Sequence, residues 1–165
     1  MKKLIVLLSV IILSVGVGFA ADPVEGYWIS YDEKTGKPTA GWQIYQSSYD
    51  QRLYGKILSK TNKADVKASK CKPSYSGFPV AGDVSEMNVI GTPWIFGLTK
   101  EKDGYWSGGR IIDPTDGKMY KCKVTFHPAG GKYAKDTLEM RGEIGLGIGR
   151  SQYWLKASKA EAGAL

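Results

Sequence analysis

Imidazole and thiol are scarce in this chain: its 165 residues include one histidine, His127, and two cysteines, Cys71 and Cys122. That scarcity argues against a metal centre built from nitrogen and sulfur ligands, and no metal or other cofactor is expected. No Gly-x-Ser-x-Gly elbow occurs, so the commonest strained-turn nucleophile is missing. Gly145-Leu146-Gly147-Ile148-Gly149 has the glycines of a phosphate loop but lies between two strand-like segments, whereas such a loop needs a helix N-terminus behind it. Beyond residue 20 no apolar run approaches the roughly 18 residues that span a bilayer, so the processed chain is not expected to cross a membrane.

The first twenty residues are of another kind. Lys2 and Lys3 precede an apolar run from Leu4 to Phe19, and Gly18-Phe19-Ala20 supplies the small residues of a cleavage site. Residues 1–20 are therefore expected to be a cleaved signal peptide and the product to be periplasmic or secreted. Residues 21–156 remain for one domain with its own core, followed by a flexible tail at 157–165. The formal charge of +7 falls by two with the leader's lysines. Export separates that basic balance from nucleic acid. Lys56, Lys60, Lys63, Lys67, Lys70 and Lys72 read either as a solvated face that blunts strand edges or as an attraction to an anionic envelope surface.

From residue 22 onward the hydrophobic period is two almost throughout. Strands are expected at 27–31, 39–46, 52–59, 89–98 (interrupted by Pro93), 105–112, 118–127, 137–143 and 148–156. About eight short strands joined by glycine-bearing turns indicate an all-β, antiparallel barrel or sandwich. Residues 32–37 and 113–118 share the frame Asp-x-x-x-Gly-Lys, in which Asp accepts from backbone N–H groups and Gly takes the left-handed corner. Helical turns are expected only near 63–69 and 83–87. The loop at 60–86 is long enough to be a functional lid or a mobile segment.

Several motifs line up along this frame: Gly26-x-Trp28, Leu53-Tyr54-Gly55-Lys56-Ile57, Trp106-x-x-Gly109-x-Ile111-x-Asp113-Pro114, Gly117-Lys118-x-Tyr120, Arg141-Gly142 and Gly149-Arg150-x-Gln152-x-Trp154. Together they resemble the bacterial exported family called domain of unknown function 2147, over roughly residues 25 to 156. The resemblance implies a single up-and-down barrel of the lipocalin (calycin) type and no settled activity. Members of that family often carry a Cys-x-x-Cys pair in the long loop; here its first position is Ala68 and only Cys71 remains, which removes any role of the pair. The Gly26-x-Trp28 opening also resembles the lipocalin signature. That likeness implies a structural barrel plug, Trp28 stacked under an arginine of the last strand, with Arg150 the candidate and Arg141 the second choice.

Alternation places Trp28, Ser30 and Asp32 on one face of the first strand, Trp42 and Ile44 on one face of the second, and Tyr120, Cys122, Val124 and Phe126 on one face of the sixth. Trp28, Ser30, Asp32, Trp42, Ile44, Tyr120 and Phe126 are accordingly the expected lining of a barrel interior that holds a small hydrophobic ligand, a fatty acid or lipid-like compound. The same alternation turns His127 outward. Cys71 and Cys122 are a candidate disulfide that would tie the long loop to the sixth strand and contribute about 4 kcal/mol, the alternative being a small apolar core residue at Cys122. Two other functions stay open. One is a structural or interaction protein of the envelope with a filled barrel, favoured if Gly55, Gly108, Gly109 and Gly142 bring walls into contact. The other is a hydrolase acting through Asp32 and Asp113, although no catalytic residue stands out and turn formation explains both.

Overall fold

The computed structural model describes residues 21–63 and 66–165. The expected signal peptide at 1–20 lies outside the described residues. Eight antiparallel strands follow the alternating segments: β1 (Gly26–Tyr31), β2 (Pro38–Gln46), β3 (Leu53–Lys60), β4 (Pro93–Lys102), β5 (Tyr105–Ile112), β6 (Met119–His127), β7 (Thr137–Gly145) and β8 (Ile148–Ala157). Each pairs with the next, and β1 pairs with β8, so the sheet closes into an up-and-down barrel. β4 starts at Pro93 rather than at Val89, because proline can begin a strand but cannot donate within one. Residues 88–91 instead run beside β3, with Gly91 N–H donating to the Ile57 carbonyl at 2.9 Å.

Both Asp-x-x-x-Gly-Lys turns form as the frame requires. Asp32 Oδ1 accepts from the Lys34 and Thr35 N–H groups at 3.1 and 2.7 Å, and Asp113 Oδ1 accepts from Thr115 N–H at 2.8 Å. Gly36 and Gly117 take φ of 66° and 71°, the left-handed corner that returns the chain. Asp32 therefore lies in solvent at a turn and not in the interior: the register slips between Ser30 and Tyr31, which breaks the alternation before it reaches Asp32.

The long loop is an outer wall. Trp94 and Phe96 face away from the inward Ile95, and Phe78 covers them with ring centroids at 6.0 and 5.4 Å. Ala68, Val84 and Val89 are fully buried there, and Trp94 Nε1–H donates to the Val89 carbonyl at 2.7 Å. Tyr75 fastens the loop to the 113–118 turn by donating to the Gly117 carbonyl at 2.7 Å. The expectation of a lid or mobile segment is thus corrected for the described part of the loop: its apolar residues need a surface, and the outer face of β4 and β5 supplies it. Asp83 caps a short 3-10 turn at Val84–Glu86. The turn expected near 63–69 includes residues 64 and 65, outside those described.

The tail is also fixed. Ser158 caps helix α1 (Lys159–Ala162), and fully buried Ala162 packs against β2 where Gly41 has no side chain. A Cβ at Gly41 would lie 1.8 Å from the Ala162 carbonyl oxygen, and Ser59 Oγ donates to that oxygen at 2.6 Å. The flexible tail expected at 157–165 is corrected accordingly. An Ala-, Lys- and Gly-rich composition suggested fraying, but a capping box and a docking groove hold the segment.

Candidate functional site: the barrel interior and its open end

The two ends of the barrel differ. At one, the lead segment 22–25 crosses the opening. Asp22 accepts from Val24 and Gly104 N–H groups at 3.1 and 3.2 Å and pairs with Lys100 at 3.0 Å. Burial pushes the Asp22 carboxyl up, but these partners outweigh it and hold it below its ordinary value. Trp106 indole N–H contributes to that balance without making a hydrogen bond of regular geometry. Trp28 is fully buried behind the lead, donates to the Val24 carbonyl at 2.9 Å and meets Phe126 edge-on at 6.2 Å.

The cation over Trp28 is Lys156, not Arg150. Lys156 is the direct β8 partner of Trp28, its Nζ lies 4.4 Å from the ring centroid, and it donates to the Glu25 carbonyl at 2.8 Å. Burial against the ring holds the Lys156 ammonium below its ordinary pKa. Gly26 lets it pass, since a Cβ there would stand 2.9 Å from Nζ on a backbone with φ of 125°. Arg150 shares the inner face of β8 but starts at the opposite rim, where it is exposed and pairs with Glu33 at 2.7 Å. Arg141 is on the outer face, bound to Glu143 at 2.8 Å. Antiparallel closure explains the correction: β8 must reach its last turn to stand beside the first turn of β1.

Above the plug the interior is filled. Ile44, Leu53, Ile95, Leu98, Trp106, Val124 and Leu138 are all at most 1 % exposed. A Cβ at Gly55 would stand 2.7 and 2.9 Å from Ile44 and Ile95 side chains, and one at Gly109 would stand 2.5 Å from Leu98. Side chains of the neighbouring strands therefore close over these glycines on the inner face. At mid-height Trp42 and Trp154 stack, with centroids 4.7 Å apart and planes inclined by 23°. Ser30, whose hydroxyl is also hydrogen-bonded to that of Thr39 at 2.8 Å, accepts from the Trp42 indole at 3.1 Å, and Gln152 accepts from the Trp154 indole at 3.1 Å. Two recesses lie outside the barrel, one on the outer face at β5 and β6, the other of about 530 Å³ between β3, the long loop and the C-terminal segment.

The end opposite the plug, the mouth of the barrel, is less closely packed. Ile111, Tyr120 and Gln152 are half-buried on the inner face above the tryptophan pair, and Gly142 among them has only ordinary contacts, 3.5 Å to Tyr120 at the nearest. The expected lining residues thus separate into three groups. Trp28 and Phe126 meet at the closed end, Ser30, Trp42 and Ile44 are in the packed middle, and Tyr120 is at the mouth; Asp32 is outside. The sequence reading had Gln152 and Trp154 only as motif residues and did not place them or Lys156 in the interior, although even spacing along β8 puts all three on one face with Arg150.

The remaining candidates are structural. Cys71 and Cys122 are both buried free thiols, not a disulfide. Cys71 lies against Gly117, whose Cβ would be 3.0 Å from its Cα, and Cys122 is five residues further along. At about 3.3 Å per strand residue the two Cα atoms stay roughly 10 Å or more apart, too far to bridge. Cys122 Sγ contacts Met140 Sδ at 3.2 Å, and burial pushes its thiol strongly up, away from reactivity. His127 stacks on Tyr133 and pairs with Glu139 at 2.9 Å. Asp32 and Asp113 are in separate exposed turns. The lysines near β3 form no single face: Lys60 is buried, Lys56 covers Tyr45, and Lys67 donates to the Glu86 carbonyl.

Residues 26–156 match a family described as an uncharacterized protein conserved in bacteria, DUF2147. No curated protein matches the chain. Among solved structures it is similar to protein HP1028 from Helicobacter pylori, described as belonging to the lipocalin family. That match has a TM-score of 0.62 and 16 % identity over 83 % of this chain and 84 % of the other.

Proposed function

From the premise that the chain belongs to the DUF2147 family and has a lipocalin-like barrel, we propose that it is an exported protein that binds a small hydrophobic ligand at the open end of that barrel. The observation that carries the reading is the stacked Trp42–Trp154 pair, a wide apolar floor beneath a mouth lined by Ile111, Tyr120 and Gln152. The two indoles have their N–H groups satisfied and are nearly closed to solvent, so they form a rigid apolar base that a ligand reaches through the half-buried residues above it. Arg150 at the rim offers an anionic head group a partner in place of Glu33. The filled middle limits the ligand. A whole acyl chain does not enter, whereas a ring or the end of a lipid-like chain does. Export rests on the basic, apolar and small-residue pattern of residues 1–20.

The test is direct. The protein is purified from its native envelope, its organic extract is analysed by mass spectrometry, and the stripped protein is titrated with a fluorescent fatty-acid probe. Binding that weakens at least tenfold in Tyr120→Ala supports the reading. An empty protein that takes up no probe ends it. The filled middle favours a second reading, a structural or interaction protein of the envelope, and that negative result would leave it standing.

A further inference from the structure

The β7–β8 turn is built against the ordinary rule for surfaces. Ile144, Leu146 and Ile148 are 72 %, 102 % and 62 % exposed within five consecutive residues. Gly145, Gly147 and Gly149 alternate with them, so no neighbouring side chain screens the apolar groups. Leu146 is held at φ of 49°, a left-handed conformation that costs a branched residue energy and points the side chain clear of the barrel. Soluble monomers rarely keep such a cluster without a partner.

The base of the tip is cationic. On the outer face Arg110 is directly opposite Lys121, and Lys123 directly opposite Arg141, like charges set against each other across strands. Glu143 answers for two of them, bonding Lys123 and Arg141 at 2.8 Å each. Arg141 also donates to the Gly147 carbonyl at 2.9 Å, which puts its guanidinium at the tip itself. Arg150, paired with Glu33, is at the same rim.

An apolar point inside a basic collar matches one kind of surface. We infer that the β7–β8 tip inserts into an anionic lipid bilayer, with Ile144, Leu146 and Ile148 at the acyl boundary and Arg110, Lys121, Lys123, Arg141 and Arg150 among the head groups. A second copy is the poorer occupant. A two-fold contact would set the two collars against each other, and three side chains cover far less than the ~800 Å² per partner of a stable interface. The inference is independent of ligand binding at the mouth, although it would turn that mouth toward the membrane.

The experiment uses the chain starting at Ala21, so that the leader cannot bind vesicles itself; every strand, both ends of the barrel and α1 lie within it. Co-sedimentation is measured with vesicles of phosphatidylglycerol and phosphatidylcholine against phosphatidylcholine alone. Binding to the anionic vesicles at least tenfold tighter is expected, with a similar loss in high salt. The triple variant Ile144→Ser, Leu146→Ser, Ile148→Ser is expected to lose at least tenfold with its melting temperature unchanged, and Lys121→Glu with Lys123→Glu to lose as much on anionic vesicles. Leu146→Trp provides an independent signal, a blue shift that brominated lipid quenches. Equal binding by the triple variant would overturn the inference, as would no binding to anionic vesicles at micromolar protein. A concentration-dependent dimer that the triple variant abolishes would also overturn it, in favour of self-association.

Discussion

Gly109→Ala tests whether the barrel middle is full. The added methyl would stand 2.5 Å from Leu98 Cγ, 2.6 Å from its Cδ1 and 2.7 Å from the Phe96 carbonyl oxygen. Contacts under 3.0 Å must be relieved, and the Leu98 side chain, fully buried among the inward residues, has nowhere to retreat. Overpacking of this kind costs about 1–3 kcal/mol, and the backbone contact puts Gly109 at the upper end. For a domain of this size about 3 kcal/mol lowers the melting temperature by roughly 6–12 °C. Leu98→Ala alone should cost about 2–5 kcal/mol through the void it leaves. In the double variant the new methyl occupies part of that void, so the combined loss should fall short of the sum by at least ~1 kcal/mol, the coupling expected of touching residues. Urea unfolding followed by tryptophan fluorescence measures all three. Gly109→Ala within ~0.5 kcal/mol of wild type, with strictly additive behaviour in the double variant, would mean that Leu98 has free volume to move into and that the filled-barrel description is wrong.

Three further outcomes are expected. Asp22→Ala should destabilise by about 3 kcal/mol, because Val24 and Gly104 lose an acceptor and Lys100 loses its partner at a 2 % exposed carboxylate. Since the folded pKa of Asp22 is lowered, its contribution is complete above the unfolded value near ~4 and disappears as pH falls through the folded value. The gap between wild type and variant should therefore close in acid, and a gap independent of pH would contradict the assignment. Lys156→Ala should lower the melting temperature by stripping the Trp28 face, whereas Arg150→Ala should leave it in place; the reverse order would restore the arginine plug. Thiol titration without reductant should find no fast-reacting thiol in the native protein and two per chain after unfolding, while a bridged pair would give none in either state.

The strands and turns were legible because their signals are local. Period-two alternation in Tyr120 to Phe126 and the Asp-x-x-x-Gly-Lys frames depend only on neighbours in the chain. What sequence alone left hidden depends on closure. Arg150 and Lys156 are on the same face of the same strand, and only the register of β8 against β1 decides which of them meets Trp28. Packing of the interior is likewise a matter of pairing between strands: the contact of Gly109 with Leu98, or of Gly55 with Ile44 and Ile95, depends on the register of β4 against β5 and of β3 against β2 and β4. The Cys71–Cys122 pairing failed for a similar reason, since the long loop docks beside the 113–118 turn and not deeper along β6. Asp32 was lost to a register slip one residue before the turn, a defect that strict alternation cannot anticipate.

The five tryptophans give the most direct check on ligand binding at the mouth. Trp28 and Trp106 mark the closed end, Trp42 and Trp154 the floor of the mouth, and Trp94 the outer wall beneath the long loop. Their indole N–H resonances are followed by NMR as a short-chain amphiphile is added. The account expects saturable shifts at Trp42 and Trp154, with Trp28, Trp94 and Trp106 unmoved. Shifts centred on Trp28 and Trp106 would reveal a deep chamber where the structure has side chains, and shifts at Trp94 alone would move the ligand to the outer wall; either result would contradict it.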